Sequence, residues 1–392
     1  MKSVLTVDCL HRQVPYNVAD SVALLPLISM GPLGCSGAIS TASSGPVGTP
    51  AAQVAMPSFN LSPAQNGAVV LGISDITQNA RICYTADGSM PTATSAQYLA
   101  PFLMTTSASI KAIALLAGDM TSVVTTQAVT ANIASGMLVW SDGFSNSTSS
   151  NAQPNPAVWG YDAGASGWGN AELEDYCAWA STTSPCSAAN PNAYVGTDGY
   201  LHIVAQQPSA GVYTSARLKT LGLFSFQYGR LEFRVQVPEA QGFWPTAWML
   251  GNNFATSGWP ACGEMDVMER VNVATSLDFN VGSIHGPGFT GKPIGTNYNF
   301  PNGVTASTWH TYGVIWKPGS VAYYVDDPIK PYMTYTPKSL AGLSVASWPF
   351  DEGQANFIIL NLAVGGLYPG ASAAATSFPS QVPVDYVRLY TN

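Results

Sequence analysis

Gly229-Arg-Leu-Glu-Phe-Arg-Val-Gln-Val-Pro238 alternates apolar and polar side chains without a break. Leu231, Phe233, Val235 and Val237 fall on one face. Arg230, Glu232, Arg234 and Gln236 fall on the other. This is the period-two pattern of a strand with one face in a core and one in water. His310–Trp316, Val321–Asp326, Asn356–Val364 and Val384–Tyr390 read as further strands. Helical periodicity is nearly absent, and 37 Gly with 28 Pro favour many turns over long helices. Nothing from Met137 to Asn392 reads as a linker. Residues 138–392 are therefore expected to form one large all-β domain of two packed antiparallel sheets.

Only 9% of the chain is charged, against about 25% in an average soluble protein, so its wet surface must be built largely from Ser, Thr, Asn, Gln and Gly. With 14 Lys and Arg against 22 Asp and Glu and no basic tract, a nucleic-acid partner is not expected. Ten Trp and eighteen Tyr on so uncharged a chain suit stacking on neutral polar ligands such as sugars, although a β-rich core also uses aromatics.

The N-terminal part divides by composition. Val22–Leu33 is an apolar run too short for a membrane span, which needs about 20 residues, and of the length of a signal-peptide core. Residues 1–35 are thus expected to be a signal or leader segment, the alternative being a leader without structure. Cys35, after Leu33-Gly34, resembles a bacterial lipoprotein attachment site, with Pro32 out of pattern. Residues 36–56 are Ser, Ala, Gly, Thr and Pro with almost nothing bulky, a flexible linker by composition. Residues 57–133 read as short strands around the turn Thr85-Ala-Asp-Gly-Ser-Met-Pro91, where Asp-Gly supplies the reversal. In an exported chain Cys177 and Cys186, which bracket a short loop, are expected to pair; two buried thiols is the alternative. Cys262 is expected to stay free, as a small apolar residue.

The densest chemistry is Trp259-Pro-Ala-Cys-Gly-Glu264-Met-Asp266-Val-Met-Glu269-Arg270, with three acids in six residues. On a strand Glu264 and Asp266 share a face, and Glu269 has the wrong parity by one. A β-bulge between Asp266 and Glu269 would restore it. Two carboxyls roughly 5–5.5 Å apart are what a retaining glycosidase needs, one as nucleophile and one as acid/base. Asp266 between them would help hold the two in different protonation states. The same residues could instead form one turn of surface helix, since Glu, Met and Arg are good helix formers.

Two families are recognisable in these residues. Cys83-Tyr-Thr-Ala-Asp-Gly-Ser-Met-Pro-Thr92, Tyr98, Pro101 and Ser109-Ile-Lys-Ala-Ile-Ala114 resemble the chitobiase/β-hexosaminidase C-terminal-type domain. The resemblance implies a small immunoglobulin-like β-sandwich, a spacer or weak binder in carbohydrate enzymes. Gly263-Glu-Met-Asp-Val-Met-Glu269 resembles the bulged Glu-x-Asp-x-x-Glu signature of glycoside hydrolase family 16. Ordered matches accompany it: Leu138–Asp142, Gly167–Glu174 with Tyr176, Tyr213–Arg217, Tyr228–Glu232, Phe243–Gly251, Ile284–Gly288, Trp309–Tyr312, Asn361–Gly366 and Val384–Arg388.

That second resemblance implies a β-jelly roll with a long open cleft. Glu264 would be the nucleophile, Glu269 the acid/base and Asp266 the assisting acid. Asn170, Arg217, Trp244, Trp248, Trp259, His285 and Asn361 would line the cleft. A structural calcium would sit near Gly199 and Asp385, although Asp142-Gly143-Phe144 departs from the family pattern there. No cofactor is expected for catalysis. The expected protein is a secreted, monomeric endo-β-1,3-glucanase with a laminarin-like glucan as substrate. The alternatives are the same fold acting on mixed-linkage glucan or agarose, or by transglycosylation, and a non-catalytic glucan-binding protein.

Overall fold

The computed structural model describes residues 51–392 except 132, 146–147, 272–277, 291–293, 344–345 and 372–375. The leader, Cys35 and the linker up to residue 50 lie outside the described residues. Among those described, nearly everything regular is strand; the one α-helix is the single turn Phe254–Ser257. No helix among them is long and apolar enough to cross a membrane.

Two large sheets form the sandwich expected for residues 138–392. One runs through Leu201–Ser209, Ser380–Tyr390, Gly229–Val235, His310–Lys317 and Ser320–Val325. The alternating strand Gly229–Val235 lies near its middle. Leu231, Phe233 and Val235 are wholly buried, alongside Val314, Trp316 and Leu389 of the neighbouring strands, while Arg230 and Arg234 reach the wet side. Burying a Phe of this kind contributes about 1.5–3 kcal/mol over leaving it exposed. The other sheet carries, in order, Asn356–Val364, Phe243–Gly251, Glu264–Glu269, Phe279–His285 and Ile294–Asn299. Its inward side chains, among them Ala247, Met249, Met265, Leu360 and Leu362, close the same core. Its outward face is left for the site.

The small domain contains the sheet Ala96–Gln97, Arg81–Thr85, Ala108–Leu115 and Thr125–Val129. Its other strands continue directly into the large domain. Ser58–Pro63 pairs with Val69–Ser74, which pairs with Phe102–Met104, which lies parallel to Phe226–Gln227. The Leu103 N–H donates to the Ser225 carbonyl at 3.0 Å, and Phe226 pairs in turn with Asn356. One sheet thus spans both domains.

The linker expectation needs correcting at its end. Gln53 bridges Met120, the Val54 N–H donates to the Met120 carbonyl, and Val54 is buried in the small core. Composition hid this, because one Val among small residues is enough to anchor a segment when a core has room for it.

Cys177 and Cys186 are disulfide-bonded. Cys83 and Cys262 are free and buried. Cys262 packs with Leu250, Phe357 and Ile359, and burial followed by the neighbouring Glu264 charge pushes its thiol up to about 12, so it behaves as an apolar filler.

Candidate active site

Glu264–Glu269 is a strand, not a surface helical turn. Trp248 pairs with Asp266 while Ala247 pairs with Met268, so Val267 is the extra residue of a bulge. On the other side Asp266 pairs with Ser283 and Glu269 with Val281, across the same irregularity. Val267 and Met268 both pack in the core, and Glu269 is thereby returned to the outer face beside Asp266 and Glu264. Gly263 sets the entry to this strand. Its φ is +76°, and a Cβ there would meet Pro349 Cγ at 3.0 Å and Phe350 Cε1 at 3.2 Å. Only glycine takes that backbone without strain and leaves that space.

The three acids sit on an outward sheet face and yet are hidden. Side-chain exposure is 15% for Glu264 and 10% for Asp266. Each acid has a dedicated donor. Trp259 Nε1 donates to Glu264 Oε2 at 2.8 Å. Ser283 Oγ donates to Asp266 Oδ2 at 2.6 Å. Trp244 Nε1 donates to Glu269 Oε1 at 3.1 Å, and the Glu269 N–H is fixed on Asn280 Oδ1. His285 Nε2 lies 3.1 Å from Asp266 Oδ2 and 3.7 Å from Glu264 Oε1.

The electrostatics raise both glutamates. Burial, then repulsion from Asp266, raises both. Glu264 is held to about 7 with help from His285 and the Trp259 hydrogen bond. Glu269 is pushed up to about 8, with the Glu264 charge adding to the push. Burial works against a charge on His285, but Glu264, Asp266 and Glu269 outweigh it and raise the imidazole to about 9. At neutral pH the histidine is therefore a cation beside Glu264 and Asp266. Oxygen and nitrogen atoms of Glu264, Asp266 and His285 lie within 4.8 Å of one another, near enough to hold a metal ion. The imidazolium favoured by its three acidic neighbours also balances the charge of this cluster.

These shifts carry a stability consequence. A carboxyl whose folded pKa is raised contributes stability below its unfolded value near 4.5, and loses it as pH rises through about 7 to 8. His285 acts in the same direction, contributing below about 6.5 and losing this through about 9. Glu269→Gln should therefore raise the thermal midpoint at pH 9 by on the order of 4 °C, at about 2–4 °C per kcal/mol, and leave it nearly unchanged at pH 5. Calorimetry at the two pH values checks this; equal midpoints at pH 9 would show that Glu269 carries no burial penalty.

The expected cleft residues divide into two groups. Trp259, 37% exposed, stands beside His285 with ring centroids 6.2 Å apart. Trp244 packs edge-on against Tyr368. These flank the acids directly. Farther along the face, Arg217 pairs with Asp162 at 3.0 Å and lies over Trp248 and Trp168, 4.8 and 5.1 Å from their centroids. Trp248 thus supports Arg217 on that ring face. Asn361 belongs to the same supporting network. Its Oδ1 accepts from Thr246 Oγ1 and Trp248 Nε1, and its Nδ2 donates to the Tyr176 hydroxyl. Asn170 is buried against the Gly365–Leu367 turn, its carbonyl accepting from the Leu367 N–H.

Sequence reasoning did not assign Ser283, Asp162 or the acids Glu172 and Glu174. Ser283 was findable, since it shares strand parity with His285. Asp162 was not, because only the tertiary fold brings it to Arg217. Tyr176 donates to Glu172 Oε2 at 2.8 Å, and Glu174 Oε2 accepts from the Val364 N–H. Burial and then the Glu174 charge push Glu172 up to about 9, so this second acid pair holds a proton and anchors the Asn361 network.

The expected calcium positions lie on the other sheet. Gly199 lies in the turn before Leu201, which pairs with Val384 next to Asp385. Asp385 is ion-paired with Arg234, and Asp142 accepts from Phe144 N–H and Trp159 Nε1. Arg234 thus takes one oxygen of Asp385, and local donors take both oxygens of Asp142.

The comparisons with known proteins agree with this geometry. Residues 181–388 match the family described as Glycosyl hydrolases family 16, and residues 71–129 match the one described as Fn3 associated. The chain is 38% identical over 268 residues to a beta-glucanase of Rhodothermus marinus, covering 64% of this chain and 84% of that protein. It is 34% identical over 283 residues to glucan endo-1,3-beta-glucosidase A1 of Niallia circulans, covering 66% of this chain and 38% of the other. Among solved structures, the laminarinase catalytic domain of Thermotoga maritima superposes with a TM-score of 0.56 at 36% identity, covering 66% of this chain and 99% of that one. A bulged strand that sets three acids on one sheet face, and a family match over more than half the chain, make this protein a member of glycosyl hydrolases family 16.

Proposed function

We propose that this chain hydrolyses internal β-1,3-glucosidic bonds of laminarin-like glucans by a retaining double displacement. The observation that carries the chemistry is the bulge at Val267, which puts Glu264 and Glu269 on one face in different electrostatic settings. Glu264, beside cationic His285, attacks the anomeric carbon. Glu269, its proton held by burial and by the Asp266 charge, gives that proton to the departing glycosidic oxygen. A glycosyl ester on Glu264 results. Glu269, now ionised, takes a proton from the water that opens this ester, and the product keeps the β configuration. Asp266, fixed by Ser283 and His285, repels charge on both glutamates and so favours the state with one shared proton.

The glucan assignment is supported by the names of the relatives and by the pairing of the basic side chains on this face. Sulfated polymers call for cationic pockets. Along this face the basic groups are already paired, Arg217 and Lys219 both with Asp162. Trp259 and Trp244 supply aromatic surface on either side of the acids. The proposal includes export through Val22–Leu33 and action as a monomer. The Cys177–Cys186 disulfide supports export, because oxidising compartments maintain such bonds.

Chromatography of early products from laminarin, lichenan, agarose and xyloglucan tests the reading. A ladder of laminari-oligosaccharides, released as β anomers, is expected. Clear cleavage of agarose or lichenan with laminarin untouched would reassign the substrate, and first-formed α product would overturn the mechanism.

A further inference from the structure

We propose that the small domain is a positioning element of the active site, acting through the segment 252–263 that carries Trp259 to Glu264. The inference rests on the retaining mechanism above for the role of Glu264. Two routes connect the domains at this point.

The first runs along the loop itself. The helical turn Phe254–Ser257 packs on the small domain's strand Ala96–Gln97, and Ser257 Oγ donates to the Thr94 carbonyl at 3.3 Å. Two residues later Trp259 donates to Glu264 Oε2.

The second runs beneath it, through residues 353–355. Gly353, with φ +80°, lies so close to the small domain that a Cβ would stand 2.5 Å from the Ala86 nitrogen. The Ala355 N–H donates to the Tyr84 hydroxyl at 3.2 Å, and Ala355 is buried in the small domain's core. Between them Gln354, 2% exposed, donates through Nε2 to the Cys262 and Pro349 carbonyls. Cys262 is two residues before Glu264, and Pro349 is the wall against which Gly263 is fitted.

One end of the Trp259 segment is therefore seated on the small domain directly and the other is tied to it through Gln354 and its neighbours, while the sheet shared through Leu103 and Ser225 holds that domain in register. Glu269 is supported differently. Its donor Trp244 and its anchor Asn280 lie on strands Phe243–Gly251 and Phe279–His285, which pair with the large domain's own strands. Loosening the small domain should disturb Glu264 and spare Glu269.

The test uses the full chain and whichever polysaccharide the wild type cleaves, so that a wrong substrate assignment does not affect it. Gly353→Val wedges the seam at Ala86, and Tyr84→Phe with Ser257→Ala removes two of its hydrogen bonds without adding bulk. Trp259→Phe is the reference. All three proteins are checked for folding by near-ultraviolet circular dichroism, and seam opening is read from hydrogen exchange at the Leu103 amide.

Loss of the Trp259 hydrogen bond raises the pKa of Glu264. The acid limb of the kcat/KM profile should thus move to higher pH by at least half a unit in Trp259→Phe and in the opened seam variants alike. KM should rise several-fold, and the alkaline limb should move less. A domain that serves only for bulk stability would lower the melting midpoint and leave both limbs in place. That result in a folded variant with an exchanging Leu103 amide overturns the proposal.

Discussion

Glu264→Ala is expected to lose at least about 10^4-fold in kcat/KM, some 5.4 kcal/mol in the barrier at about 1.36 kcal/mol per decade, while the protein stays folded. The loss is large because no other group can form the glycosyl ester. Asp266 is next along the same face, but its Oδ2 is held by Ser283 Oγ and His285 Nε2. The fold should survive because the side chain lies on the outer face, and the core there is built by Met265, Val267 and Met268. Removing the acid also removes one of the charges that Asp266 and Glu269 repel. Initial rates on a soluble glucan, with circular dichroism as the folding control, measure this. Retention of more than about one part in a hundred of the activity would take the nucleophile's role away from Glu264.

Glu269→Ala is expected to fall by about 10^2–10^4-fold on polysaccharide, the usual contribution of a general acid. On an aryl glycoside with a good leaving group, the first step needs no proton, so the glycosyl ester still forms. Azide added to this variant should then partly restore turnover, entering the space the carboxylate vacated and attacking without a general base. The product decides the roles. A β-glycosyl azide means that Glu264 had already formed the ester. An α-glycosyl azide would mean that azide displaced the leaving group directly, and that Glu269 had been the nucleophile.

Much of this site was legible in the chain because strand parity is local. Glu264 and Asp266 are two apart and must share a face. The spacing to Glu269 is intelligible only with one extra residue, which the structure places at Val267. The buried run of Asn356–Val364 and the alternation of Gly229–Val235 likewise announced their strands, since a half-buried strand repeats every second residue and a fully buried one is continuously apolar.

Other residues were legible in kind but not in use. Trp248 and Asn361 read as sugar contacts, and the fold turns them toward each other and toward Arg217 and Tyr176. The second acid pair, Glu172 and Glu174, gave no local sign of its burial. The ion pair of Asp385 with Arg234, on a neighbouring strand, also gave no local sign. None of these pairings has a sequence period, so none could be read along the chain.

The sequence by itself determined the all-β class, the sandwich of residues 138–392, the faces of its strands and the three acids at the centre, because all of these follow from periodicities of a few residues. Only the tertiary structure decided which donor holds each acid and that both glutamates hold their protons more tightly, because burial and charge contacts depend on strands far apart in sequence. It also decided the relation between the two domains. Along the chain, residues 57–133 and 138–392 read as separate units, with the linker at 36–56 ahead of both. The parallel pairing of Phe102–Met104 with Phe226–Gln227 instead joins them in one sheet, since an exposed strand edge has unpaired N–H and C=O groups to satisfy and the second domain's edge supplies them.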